Sequence, residues 1–153
     1  MGIGYGFHCN KCDYHKNIMQ GIGMLYMPEG LIDKLNGKRS LFEDLVKSQK
    51  IRQHTDRLLN DMYGQFTDGY GHELYVCEHC YEIYDQFYYR IEYTGGQYEP
   101  EYKCKCKHPL KRLKIDDNPG GQGITDLQGN SVNLKCPKCS EGSLVIEEYI
   151  LWD

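Results

Sequence analysis

Eight cysteines in four close pairs constrain this chain more than any other feature. They are Cys9 and Cys12, Cys77 and Cys80, Cys104 and Cys106, and Cys136 and Cys139. Three pairs read C-x-x-C, one reads C-x-C, and none is left over. A disulfide framework tends to spread its cysteines, because a bridge stabilises most when it closes a long loop. Close pairs instead set two thiolates on one tight turn, ready to take two corners of a metal tetrahedron. Burial as small apolar side chains is the bland reading of any one cysteine, but it does not account for four pairs. The spacings do not match ferredoxin runs. A thioredoxin-type redox pair needs a strand-to-helix setting, whereas each pair here lies between strand candidates.

Four pairs give ligands for two four-cysteine sites. The arrangement favoured by the sequence is sequential. Cys9, Cys12, Cys77 and Cys80 form one site, and Cys104, Cys106, Cys136 and Cys139 form the other. The alternative joins the first pair to the third and the second to the fourth. The stretch TGGQYEP, residues 94–100, has two glycines and a proline and reads as a linker. It divides the chain into expected domains at 1–95 and 96–153, each with a full set of ligands.

Between the first two pairs the character changes. Residues 31–63 hold no cysteine and show helical spacing. Ser40 and Glu43 have the spacing of a capping box. Leu41, Phe42, Leu45 and Val46 make one apolar face, and Ile51, Leu58, Leu59 and Met62 another. At 100° per residue the two faces do not align, so a break or two short helices is expected near residues 47–50. The remaining segments read as strands: HELYVC before the second pair, YEIYDQFYYRIEY after it, LKRLKI after the third and SLVIEEYILW at the end. The expected fold is a small metal-stabilised α+β chain of two β-hairpin units, the first with a helical insertion over about residues 31–63.

HCNKCDY, YVCEHCYE and LKCPKCSEG resemble the knuckles of zinc-ribbon proteins, within the rubredoxin-like class. The first part, from GFHCNKCDY through GIGMLY and GKRS to LYVCEHC, is similar to small bacterial zinc-ribbon proteins without an assigned function. The resemblance implies hairpins whose tips hold two zinc ions, with iron and a rubredoxin-like electron carrier as the alternative. The chain departs from the pattern at the residue after each second cysteine, usually glycine and here Asp13, Tyr81, Lys107 and Ser140. Cys104-Lys105-Cys106 is also one residue short.

Charge is unevenly spread around a net of −4. Lys103, Lys105, Lys107, Lys111, Arg112 and Lys114 crowd the third pair and form a candidate polyanion contact. Nucleic acid through the second unit is one expected partner and a protein is the other. The bland reading of this strip is a solvated strand that offsets a negatively charged tetrathiolate. Fourteen tyrosines are expected to cover a thin sheet while keeping their hydroxyls satisfied. His8 and His79 adjoin cysteine pairs and His108 follows Cys106 by two. With eight cysteines available, these histidines are expected beside the sites rather than as ligands.

No catalytic constellation emerges. GIGYG and PGGQG do not make a dinucleotide fingerprint, and Gly37-Lys38-Arg39-Ser40 lacks the first glycine of a P-loop, with Ile32 in its place. Glu43-Asp44 and Glu147-Glu148 read as solvated faces. No run of 18 apolar residues or export pattern appears, so a cytoplasmic, membrane-free protein is expected. Reducing conditions there keep thiols free for metal. The sequence points to a metal-binding interaction module rather than an enzyme.

Overall fold

A computed structural model describes residues 2–23, 41–116 and 123–152. Ser40 of the expected capping box, the rejected P-loop stretch Gly37-Lys38-Arg39-Ser40 and most of PGGQG lie outside the described residues.

Among the described residues, ten strands and two helices follow along the chain. β1 (Gly2–Cys9) and β2 (His15–Gly21) form the first hairpin. α1 (Leu41–Leu45) and α2 (Gln49–Asp61) are the helices. β3 (Gln65–Phe66), β4 (Gly71–Cys77), β5 (Ile83–Tyr88), β6 (Ile91–Tyr93) and β7 (Gly96–Tyr98) come next. β8 (Leu110–Asp116), β9 (Gly123–Thr125) and β10 (Leu144–Trp152) complete the order.

The apolar faces of the helical segment fail to align, and the chain responds by breaking between Leu45 and Gln49. Ser48 restarts it as N-cap of α2, with extended backbone and its hydroxyl accepting from the Ile51 N–H at 3.4 Å. Arg52 donates back to the Val46 carbonyl at 2.7 Å and so ties the two helices at the break. Ser48→Ala is expected to lower stability by about 1 kcal/mol, measured as a shift of the urea midpoint.

The two-ribbon expectation needs correction. One antiparallel sheet runs β10-β1-β2-β4-β8-β9, with β5 on the other edge of β4. Strands on either side of residue 95 are thus neighbours: β10 pairs with β1, and β8 with β4. The stretch expected as a linker is itself a hairpin. Tyr93 pairs with Gly96, and Gly95 turns the chain at φ +110°, a conformation that glycine adopts at no steric cost.

The first hairpin and the β4 hairpin meet at one residue pair, Gly21 with His72. A Cβ at Gly71 would stand 3.1 Å from the Gly21 carbonyl carbon, so the close approach depends on a bare backbone there. The tyrosine-rich segment is not one long strand. β5 and β6 belong to different sheets and part at Tyr89 and Arg90, with β6 lying between β3 and β7.

Side-chain alternation along β4 feeds two cores. Leu74 and Val76 pack with Tyr5, Phe7, Ile18, Ile83 and Leu113. Tyr75 points the other way, to Phe42, Val46, Leu58, Phe87 and Tyr89. The two faces differ because successive strand side chains alternate. The second core is where the tyrosines go. Tyr89 is fully buried, and its hydroxyl meets Thr55 Oγ1 at 2.6 Å. Tyr102 donates to the Phe87 carbonyl, and Tyr88 donates to Glu99 at 2.9 Å.

Candidate metal centres

All eight cysteines gather in two quartets, and the grouping is nested. The first pair meets the fourth, as Cys9, Cys12, Cys136 and Cys139; the second meets the third, as Cys77, Cys80, Cys104 and Cys106. Neither the sequential nor the interleaved arrangement occurs. The reason lies in the sheet. β10 runs beside β1, with Cys9 opposite Leu144, and β8 runs beside β4, with Cys77 opposite Leu110. Those pairings bring the fourth knuckle to the first and the third to the second.

The sulfurs stand at ligand spacing. Cys9 and Cys139 are 3.7 Å apart, and Cys12 and Cys136 are 3.6 Å apart. In the inner quartet Cys77–Cys106 is 3.5 Å, Cys80–Cys104 is 3.4 Å and Cys80–Cys106 is 3.7 Å. A tetrahedral ion with metal–sulfur bonds of about 2.3 Å holds its sulfurs about 3.8 Å apart. Disulfide sulfurs would lie at about 2.0 Å, and all eight cysteines are free. In each pair the first cysteine is buried and the second half-exposed. Each quartet therefore has a dry edge in the core and an edge toward solvent.

The knuckles explain how the chain manages without glycine. Tyr81, Lys107 and Ser140, the residues after three of the second cysteines, sit at φ 63°, 71° and 60°. They take the left-handed conformation that glycine normally provides. In two knuckles that residue's N–H bonds to the first cysteine's carbonyl, Tyr81 to Cys77 at 2.8 Å and Ser140 to Cys136 at 3.0 Å. The short pair makes the same bond one residue tighter, Lys107 N–H to the Cys104 carbonyl at 2.8 Å. C-x-C thus works as a contracted C-x-x-C. Backbone N–H groups also point at sulfur: Lys11 at Cys9 and Lys138 at Cys136, both 3.4 Å, and Gly142 at Cys139, 3.3 Å.

The Gly142 donor prepares a thiolate. The N–H groups of Gly142 and Glu141 bring the Cys139 thiol down to about 6. Burial pushes Cys104 up, yet hydrogen bonds, led by the Tyr84 hydroxyl and the Cys106 N–H, hold it at about 6. Tyr84 Oη lies 3.3 Å from Cys104 Sγ. Each quartet so offers one ready thiolate to an arriving cation.

The knuckles are also tied to one another. Asn10 N–H donates to the Ser143 carbonyl at 3.1 Å, and Ser143 N–H donates back to Asn10 Oδ1 at 3.0 Å. Lys138 pairs with Asp13 across the outer quartet and holds that carboxyl below its usual range. Glu82, just past Cys80, accepts from Tyr14 at 2.9 Å and Lys16 at 2.7 Å, both just past Cys12. This triad links the outer quartet to the inner.

Gly142 fits the outer quartet for a steric reason. A Cβ there would collide with Cys9 Sγ and stand 3.0 Å from Asn10 Oδ1. Gly142→Ala is expected to cost about 1–3 kcal/mol in overpacking. That is roughly five- to 150-fold in affinity for the outer ion, read by competition with a chromophoric chelator, with the inner ion unchanged.

The basic strip divides. Arg112 is engaged, bonded to Glu73 at 3.2 Å with its guanidinium 3.6 Å over the Tyr88 ring. Lys111 pairs with Glu78 at 3.1 Å. Lys103, Lys105, Lys107 and Lys114 are exposed and form no ion pair among the described residues. His108 lies beside the inner quartet, with Nδ1 3.4 Å from Cys106 Sγ, and its ring stacks on His79. The roles of Tyr84, Glu82 and Gly142 carried no sequence signal, because each depends on a contact made across the fold. Among the described residues no helix is long and apolar enough to cross a membrane. No family model, no curated protein and no solved structure matches this chain; its two cysteine quartets could hold metal ions and are consistent with zinc-ribbon-like sites.

Proposed function

We propose that this protein is a zinc-dependent interaction module, in which two zinc ions hold a thin β fold whose surface engages a protein partner. The supporting observation is the convergence of eight sulfurs into two sets at tetrahedral spacing. Full quartets leave no open coordination position, which favours a structural over a catalytic ion. A structural zinc contributes on the order of 10 kcal/mol to folding. Sulfurs within 4.8 Å of one another suit a single ion better than an iron–sulfur cluster, whose cysteines sit on separate irons.

A protein partner is favoured by β10. Among the described residues it ends the sheet, and Tyr149 and Leu151 on it are 51% and 80% exposed. An open edge with apolar side chains is a ready template for another chain. The polyanion reading of the basic strip is weakened by the engagement of Arg112 and Lys111. The lysines at 103, 105 and 107 surround the inner quartet, where they offset the charge of a tetrathiolate.

Metal analysis of purified protein tests this function. Two zinc per chain and no visible absorption are expected. Iron with intense visible absorption would replace the module by an electron carrier. Nucleic-acid binding that falls steeply with salt, and weakens when Lys103, Lys105 and Lys107 become Ala, would replace the protein partner by a polyanion.

A further inference from the structure

We propose that His79, His108 and Cys106 form a third metal site, open to solvent, on the rim of the inner quartet. It rests on the quartet reading, because Cys106 would bridge the quartet's own ion and the additional one.

The geometry is close to a chelate. His108 Nδ1 is 3.4 Å from Cys106 Sγ. The His79 and His108 rings stack face to face, centroids 3.9 Å apart and planes 8° apart. One ligand atom from each of the three residues lies within 4.8 Å of the other two. An ion with bonds of about 2.0–2.1 Å to nitrogen and about 2.3 Å to sulfur needs ligand atoms about 3.3–3.6 Å apart. The His108–Cys106 pair already has that spacing. Because each nitrogen donates in its ring plane, His79 joins by turning its exposed ring out of the stack toward the ion.

Backbone placement makes the juxtaposition a product of the knuckles. His79 sits inside the second knuckle, between Cys77 and Cys80. His108 closes the third, its carbonyl accepting from the Cys104 N–H at 2.9 Å. The turns that build the inner quartet thus set both imidazoles on its outer rim. Both histidines are exposed and Cys106 is half-exposed. An ion can arrive from solvent, with water in its remaining positions. That open coordination distinguishes this site from the closed quartets. A thiolate bound to one ion keeps lone pairs for another. Imidazole and thiolate together select borderline and soft ions, zinc and cadmium rather than magnesium or calcium.

The chain contains its own control. His8 and His15 also stack, at 5.9 Å between centroids, beside the outer quartet. Among the described residues they join no group of three candidate ligands.

The test uses the full chain carrying two zinc equivalents, titrated with Zn2+ under equilibrium dialysis and by imidazole NMR. A third, weaker equivalent is expected, shifting the His79 and His108 resonances and leaving those of His8 and His15 in place. The H79Q/H108Q double variant is expected to lose the third equivalent and keep two. Saturation at two in the unaltered chain, or a third equivalent that survives in the double variant, overturns the proposal. The count left in the double variant separates the two failures. When the unaltered chain also saturates at two, two ions there mean that the quartets stand and only the rim site is wrong. Fewer than two mean that the quartet reading falls and the bridging site falls with it.

Discussion

Cys12→Ser combined with Cys80→Ser is expected to strip the chain of both ions, while Cys12→Ser combined with Cys139→Ser leaves one. Cys12 and Cys139 share the outer quartet, and Cys80 belongs to the inner. The two double variants distinguish every arrangement of four pairs into two sites. A sequential grouping would leave one ion in the first variant and none in the second. An interleaved grouping would leave none in either. Native mass spectrometry counts the ions directly. Each single serine is expected to remove one ion, since three thiolates and a hydroxyl hold zinc far less tightly than four thiolates.

Removing both ions is expected to unfold the protein, a larger effect than any single core substitution. Each structural ion contributes on the order of 10 kcal/mol, against a net stability of about 5–15 kcal/mol for a whole domain. Without metal, eight thiols also crowd into two small volumes, and the thiolates among them repel. The outer ion has the longer reach. It joins residues 130 and 124 positions apart, against 29 and 24 for the inner. Loop-closure entropy grows with that separation. Near-UV circular dichroism of the buried tyrosines, followed under a strong chelator, checks the expectation. Tertiary signal is expected to vanish and to return with two equivalents of zinc. An unchanged spectrum in excess chelator would show that the two hydrophobic cores suffice.

Legibility varied with the range of the interaction. The knuckles were readable because C-x-x-C is a local pattern, and strands next to them followed from alternation. The helical break was readable too. Phe42 and Val46 lie out of phase with Leu58 on one continuous helix, and the structure buries all three only by restarting the helix at Ser48. Thr55 was missed as a core residue because its fitness there comes from the Tyr89 hydroxyl, which the chain brings in from 34 positions away. The long tyrosine strand was misjudged for a similar reason. Nothing local stops it at Tyr89, but that ring packs against Phe42 and Phe66, and the strand leaves the main sheet there.

The stretch at residues 94–100 shows the limit most clearly. TGGQYEP has the composition of a linker, and a tight hairpin with glycine at its turn has that same composition. Local sequence does not separate the two. Which of them forms depends on whether Ile91 and Tyr98 find each other across the turn, as they do here.

By itself the sequence determined the number of ligands, their arrangement in close pairs and the tight turns that carry them, since these are properties of three or four adjacent residues. Only the tertiary structure decided which pairs come together in one quartet. That choice is made by strand order. β10 lies against β1 and β8 against β4, so the pair nearest the start of the chain meets the pair nearest its end. Strand order reflects the burial of side chains across the whole sheet, and no single knuckle carries a record of it.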